Sequence, residues 1–378
     1  MDRMIATLPL LRGAVSDTEQ VVLRAGALTA SVFRYPSGIE ALRLRNARGS
    51  LVLLPWYGQM VWQAEFDGVS LAMQSGFTMP LPADSIAGSY GCFAFHSGLL
   101  RNGVPSAEDD HAAHGEFPCS AMARAWLKLG EDADGPTLRL VGERDHIIGF
   151  GPRYRAHPSV TLGEHDTMLE IGMQVENRSG RPMELMYMAH VNFAFVTGGR
   201  IVQPVPFTPA RVRVRRAVPA HVRPNPGYLA FIETLSETPA RMECLDEPAR
   251  YDPEQVFYLD GLPTDADGRT HTMLRRPQGD AFALSHRPAQ FSRCVRWILD
   301  DPDQKVAAFA LPATCEPEGY AAELRKGNVR LLAPGERATF AVSAGYLDAD
   351  AADAMALRIA ALAQAQEAAQ EADQGEAG

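Results

Sequence analysis

Three short stretches carry residues able to move protons. His114-Gly115-Glu116-Phe117-Pro118 closes a long segment rich in Gly, Pro, Ser and His. His190-Val191-Asn192-Phe193 lies in a run of alternating polar and apolar residues. Cys315-Glu316-Pro317 is followed, after a short loop, by Leu331-Leu-Ala-Pro-Gly-Glu336. An imidazole titrates near neutrality and a glutamate is ordinarily ionised there. A His/Glu set therefore suits general acid–base chemistry on a small polar ligand. Pro317 biases Glu316 to extended backbone, from which a strand-end carboxylate can reach into a cleft. The spacing of His111-x-x-His114, with His96 or Cys119, is too loose for a metal cluster, and no second Cys/His pair supports one. No GxSxG, P-loop or GxGxxG fingerprint falls in a strand–helix context. We expect neither a metal nor another cofactor.

The elements that position these residues read as strands. In Met168–Glu176, Leu169, Ile171, Met173 and Val175 alternate with polar residues or glycine, a period of two with one buried face. After a turn-rich Asn177–Pro182 the alternation resumes. Leu185, Tyr187, Val191, Phe193 and Phe195 share one face, and Glu184, Met186, Met188, His190 and Asn192 the other. His190 is thus expected to project away from the apolar face of its own strand. Short strands separated by Gly, Pro and Asn turns also fill residues 20–75, with Asp67-Gly68 as a hairpin signal. Residues 76–120 have weak periodicity and hold His96, Arg101, His111 and His114; a loop that long is usually functional. Strands return at 121–129, 137–143, 256–259, 281–285, 294–299, 306–309 and 338–346. Ala210–Arg216 alternates Val with Arg, and its arginines are expected on a solvated outer face rather than on an anion-attracting rim. Asp350–Gln370 reads as one helix, capped by Asp348 or Asp350, with Met355, Ile359 and Leu362 facing the body or a partner subunit. Residues 371–378 read as a frayed tail.

A formal net charge of −10 argues against non-specific nucleic-acid binding. No apolar run is long enough to span a bilayer, and the N-terminal stretch does not read as a secretory signal. The five cysteines are scattered, with no CxxC, as expected of reduced thiols in the cytoplasm. Hydrophobic residues make up 46% of the chain, enough for a large core, and abundant turn formers fit an all-β domain spanning 1–347, followed by a C-terminal helix and tail at 348–378.

In the order of its motifs the chain resembles the aldose 1-epimerase (galactose mutarotase-like) superfamily, and within it the DUF4432 branch. The resemblance rests on Ser97-Gly-Leu-Leu-Arg-Asn-Gly103, His114-Gly115, His190-x-Asn-Phe193, and Glu316 ahead of Pro334-Gly-Glu336. It implies a β-supersandwich of antiparallel sheets holding a sugar on its concave face. It further implies that Glu316 takes the proton of the anomeric hydroxyl and that His190, as an imidazolium, protonates the ring oxygen with His114 assisting. Arg101, Asn192, His96 and either Glu254 or Gln255 would hold the sugar. The superfamily's Arg-rich segment survives only as Arg101-Asn102, which points to a changed substrate. Expected partners are a small carbohydrate and, with oligomeric state left open, further copies of the chain, but no nucleic acid or membrane. A catalytically silent sugar-binding protein and a different reaction on the same scaffold, such as a lyase, are the alternatives.

Overall fold

The computed structural model of the chain describes residues 3–219 and 221–376. Within them, two antiparallel sheets of nine and thirteen strands pack face to face. Leu28, Leu42, Leu51 and Val61 of the larger sheet share one core with Leu127, Leu138, Val160 and Ile171 of the smaller. Each such apolar side chain removed from water contributes roughly 1.5–3 kcal/mol, so this layer holds the sandwich together. Asp67 and Gly68 both have positive φ, 50° and 75°, and join Val61–Phe66 to Val69–Ser70. That turn matches the right-handed twist of its flanking strands.

Six strands of the larger sheet build the outer face that matters for function. They are β1 (Ala94–Leu99), β2 (Met183–Val191), β3 (Val212–Val214), β4 (Gln255–Leu259), β5 (Arg293–Asp300) and β6 (Lys305–Ala313), adjacent in the order β3-β4-β5-β6-β2-β1. In β2 the odd-numbered Leu185, Tyr187, Ala189 and Val191 enter the inter-sheet core, while Met188 lies in a separate apolar cluster on the other face. His190 shares that outer face, as the alternation predicts.

Several elements differ from the sequence expectation. Arg3–Leu10 is a strand, as are Arg153–Gly163 and Thr270–Arg275, and β1 lies within the presumed loop 76–120. Helix α1 (Pro226–Glu237) is capped by Asn225, whose side chain accepts from Tyr228 N, and a second, short helix is α2 (Tyr320–Arg325). The C-terminal helix, α3 (Ala349–Glu376), runs past the expected end at Gln370; residues 377 and 378 lie outside the described residues. Asp348 caps it by accepting from Ala351 N at 3.0 Å. Ala352 and Ile359, with Met355 beside them, pack on Met273, Ala283 and Leu347, so this helix lies on the body of its own chain. No helix among the described residues is long and apolar enough to cross a membrane.

Candidate active site

A cleft of about 980 Å³ opens on the outer face of β2–β6. His114, His190, Tyr90 and Trp297 meet in it. His190 stacks on Phe95 with ring centroids 4.5 Å apart, and the His114 and His190 rings lie edge to face at 5.0 Å. Trp297 closes on His190 at 5.7 Å.

The backbone around His114 explains why a glycine follows it. His114 has φ 61° and Gly115 φ 80°. A Cβ at Gly115 would fall 2.0 Å from Arg101 O, so only glycine lets the loop close against the end of β1. The loop thereby delivers an imidazole from beyond β1 to the face that already carries His190.

Both imidazoles are held from behind. Asn192 Nδ2 donates to Cys92 O, so its Oδ1 accepts from His190 Nδ1–H at 2.8 Å. The Ser97 hydroxyl donates to Asn102 Oδ1, which leaves Ser97 Oγ to accept from His114 Nδ1–H at 3.0 Å. In both rings the proton therefore sits on Nδ1. His190 Nε2 is then an acceptor, met by the Tyr90 hydroxyl at 3.3 Å. Burial lowers the His114 pKa to about 4, against the opposing pull of the Glu254 charge. Burial, together with His114, lowers that of His190 well below its usual value. This corrects the expectation that His190 starts as an imidazolium: a buried ring without a carboxylate against it stays neutral.

The most strongly engaged carboxylate on the cleft wall is Glu254. Its Oε1 meets Arg215 at 2.7 Å and His221 at 3.4 Å, and its Oε2 accepts from Trp297 Nε1 at 2.6 Å. Burial alone would raise its pKa, but His221 and Arg215 bring it down to about 2. Arg215 itself corrects another expectation. Val212 and Val214 point into the inter-sheet core, so Arg213 and Arg215 turn to the cleft side, and Arg215 is only 7% exposed. The wall nevertheless carries two arginines, Arg215 and Arg223, against four carboxylates, Asp252, Glu254, Asp301 and Asp303. The balance does not favour an anionic ligand.

Other expected site residues lie elsewhere. Glu316 is buried with its carboxylate bound by Arg213 at 3.1 Å and Lys326 at 2.6 Å; Pro317 lines the cleft and Glu316 does not. His96 is adjacent to Phe95 in β1, so it faces the core, bonded to the Tyr187 hydroxyl at 2.8 Å with its pKa lowered by burial to about 3. Arg101 lies past the end of β1 and turns to a different hollow, paired with Glu184 at 3.1 Å and lying over the Tyr320 ring. Gln255 is buried within β4 and does not line the cleft. Asn192 acts behind His190 rather than in the cleft. Sequence reasoning missed Tyr90, Trp297 and His221; only the alternation of 294–299, which sets Trp297 opposite the core residues Cys294 and Ile298, offered a signal. Glu316, Glu318 and Glu323 come close enough to hold a cation, and Lys326 already bonds to all three.

The fold is that of the galactose mutarotase-like proteins. A "putative aldose 1-epimerase" from Klebsiella pneumoniae superposes with a TM-score of 0.79 at 14% identity, over 95% of this chain and 96% of that one. A galactose mutarotase-like protein from Clostridium acetobutylicum superposes at 0.55, also with 14% identity, over 86% and 100%. No curated protein matches the sequence. Residues 36–345 match the family model described as a domain of unknown function, DUF4432, and the chain belongs to that family.

Proposed function

We propose that the protein is an isomerase that interconverts the anomers of an uncharged aldose by acid–base catalysis with His114 and His190. The observation that carries this is the pair of imidazoles, each fixed at Nδ1 by a polar group behind it: His114 Nε2 is left for a ligand, and a ligand hydroxyl reaches His190 Nε2 by taking the place of the Tyr90 hydroxyl, 3.3 Å away. Two imidazolium charges 5.0 Å apart repel, so the pair holds at most one proton. Burial lowers the His114 pKa to about 4, so only a small fraction of molecules carries that proton at neutral pH, and Glu254 favours it on His114. With His114 protonated, His190 Nε2 accepts the proton of the anomeric hydroxyl while His114 Nε2–H protonates the ring oxygen. The C1–O5 bond breaks and an open-chain aldehyde forms. After rotation about C1–C2, the O5 hydroxyl returns its proton to His114, O1 takes one from His190, and the ring closes with inverted C1. Glu254, ionised throughout, accepts from a sugar hydroxyl through its remaining lone pairs. Trp297 and Tyr90 offer aromatic faces to the sugar ring's C–H groups.

The test is saturation transfer between α and β anomeric proton signals with purified protein and a panel of free aldoses. Acceleration for at least one, lost in His190→Ala and His114→Ala, is the expected result. A silent carbohydrate-binding function is the second reading, favoured by the engagement of Glu316 with Arg213 and Lys326. Sugar binding without acceleration for any aldose would establish it.

A further inference from the structure

The cleft is much larger and more apolar than one sugar ring requires. Its volume, about 980 Å³, lies at the top of the range of ~300–1,000 Å³ typical for drug-sized ligands. Its floor is a continuous apolar surface. Val295 and Leu311 stand side by side across β5 and β6, with Met188 of β2 on the same face. Val256, paired with Trp297, and Leu299 extend it. All of these pack as one cluster, separate from the inter-sheet core.

The polar groups of the wall are largely spoken for. Arg215 and Glu254 hold each other, Glu254 also holds Trp297 and His221, and Ser75 Oγ accepts from Phe77 N. Arg223, Asp252 and Asp303 are exposed where they line the cleft, so what remains for hydroxyls among its buried groups is His114, His190 and the spare lone pairs of Glu254. A polyhydroxylated ligand laid along the Val295–Leu311 floor would leave its hydroxyls desolvated and unpaired, at a cost of about 1–3 kcal/mol for each such group. An apolar group there would instead gain from burial.

We infer that the ligand is an aldose carrying an apolar substituent, aryl, acyl or alkyl, away from its anomeric carbon, and that the substituent lies on the floor formed by Met188, Val256, Val295, Leu299 and Leu311. The inference rests on the acid–base reading for the placing of the anomeric carbon beside His114 and His190. Trp297, paired with Val256, bounds the floor.

Isothermal titration calorimetry of the full chain with an aldohexose and its 3-O-benzyl and 6-O-benzyl ethers, all with a free anomeric hydroxyl, tests this. Burial of the benzyl group predicts that one ether binds roughly thirty-fold tighter than the parent sugar. Ethers that bind no tighter overturn the inference. Val295→Thr, close in shape within a strand, should reduce the gain of the ether over the parent sugar several-fold. A gain undiminished in both Val295→Thr and Leu311→Asn overturns the placement. Anomer exchange of the same sugars keeps the two proposals distinguishable. A tightly bound ether whose exchange is not accelerated defeats the catalytic reading alone. Accelerated exchange of the parent sugar without preference for either ether defeats only the substrate inference.

Discussion

Two groups of titratable residues flank the same sheet face, and they differ in what they leave unsatisfied. At one, His114 and His190 are each bonded at Nδ1 from behind, and Nε2 faces the cleft. At the other, Glu316, Glu318 and Glu323 surround Lys326, and Arg213 completes the set through Glu316 and Asp260. The second group is the richer in charge, yet its charges are spent on one another. Such a network holds the β6–α2 connection against β3 and has little capacity to take a proton from a ligand. The histidine pair has few partners, His114 Nε2 open and His190 Nε2 met only by the Tyr90 hydroxyl at 3.3 Å, so both can turn to a ligand.

The largest effect expected from this contrast falls on the histidines. His190→Ala should lower the rate of anomer exchange by roughly 10²–10⁴-fold, beside a loss of stability from the cavity left against Phe95. Glu316→Gln should leave exchange within about tenfold of the parent while lowering stability by roughly 1–3 kcal/mol, because Lys326 and Arg213 lose a charged partner. Urea denaturation beside the exchange assay separates the two.

Gly115→Ala comes next. The backbone clash with Arg101 must be relieved by shifting the loop, and a displacement of about 1 Å at a catalytic group can cost about 10²-fold in rate. The fold should survive, since the loop is not part of the inter-sheet core, and circular dichroism checks that. Asn192→Ala should cost about 10–100-fold in kcat with little change in KM, because the His190 ring loses its fixed tautomer rather than a ligand contact. An unchanged kcat would remove Asn192 from the account.

The effect furthest from the chemistry is on pH stability. His96 titrates at about 3 in the folded protein and near 6.5 when unfolded. Between those values the unfolded chain binds more protons, so stability rises with pH and is lost on acidification from about 6.5 downward. By pH 4 this group alone should remove roughly 2–4 kcal/mol. His96→Phe should flatten that slope in denaturant titrations at pH 6.5 and 4 while leaving anomer exchange near the parent rate. A parallel loss of exchange would place His96 in the chemistry after all.

Much of this was legible in the sequence because a period of two is a local property. The alternation in Met183–Val191 assigns His190 its face without knowledge of its neighbours, and Asp67-Gly68 announces its turn. Asn225-Pro226 was an equally local helix signal, passed over amid the surrounding prolines. What failed depends on the whole fold. The same alternation places Arg213 and Arg215 together on one face, but only the sheet order shows that this face overlooks the cleft. Arg101 sits two residues beyond β1, where the chain has left the sheet, so proximity in sequence to His96 and His114 says nothing about direction. Protonation was the least legible of all. Whether His190 is charged depends on burial and on the distance to carboxylates from β4 and β6, neither of which is written near residue 190. Motif order likewise identified Glu316 without revealing that Lys326, ten residues on, would claim it.

The most direct test is anomer exchange measured side by side for the parent protein, His190→Ala and Glu316→Gln, on an aldose shown to bind. The contrast between the two regions predicts acceleration in the parent, its loss in His190→Ala, and its retention in Glu316→Gln. Acceleration abolished by Glu316→Gln and kept by His190→Ala would contradict it and make the carboxylate network the reacting centre.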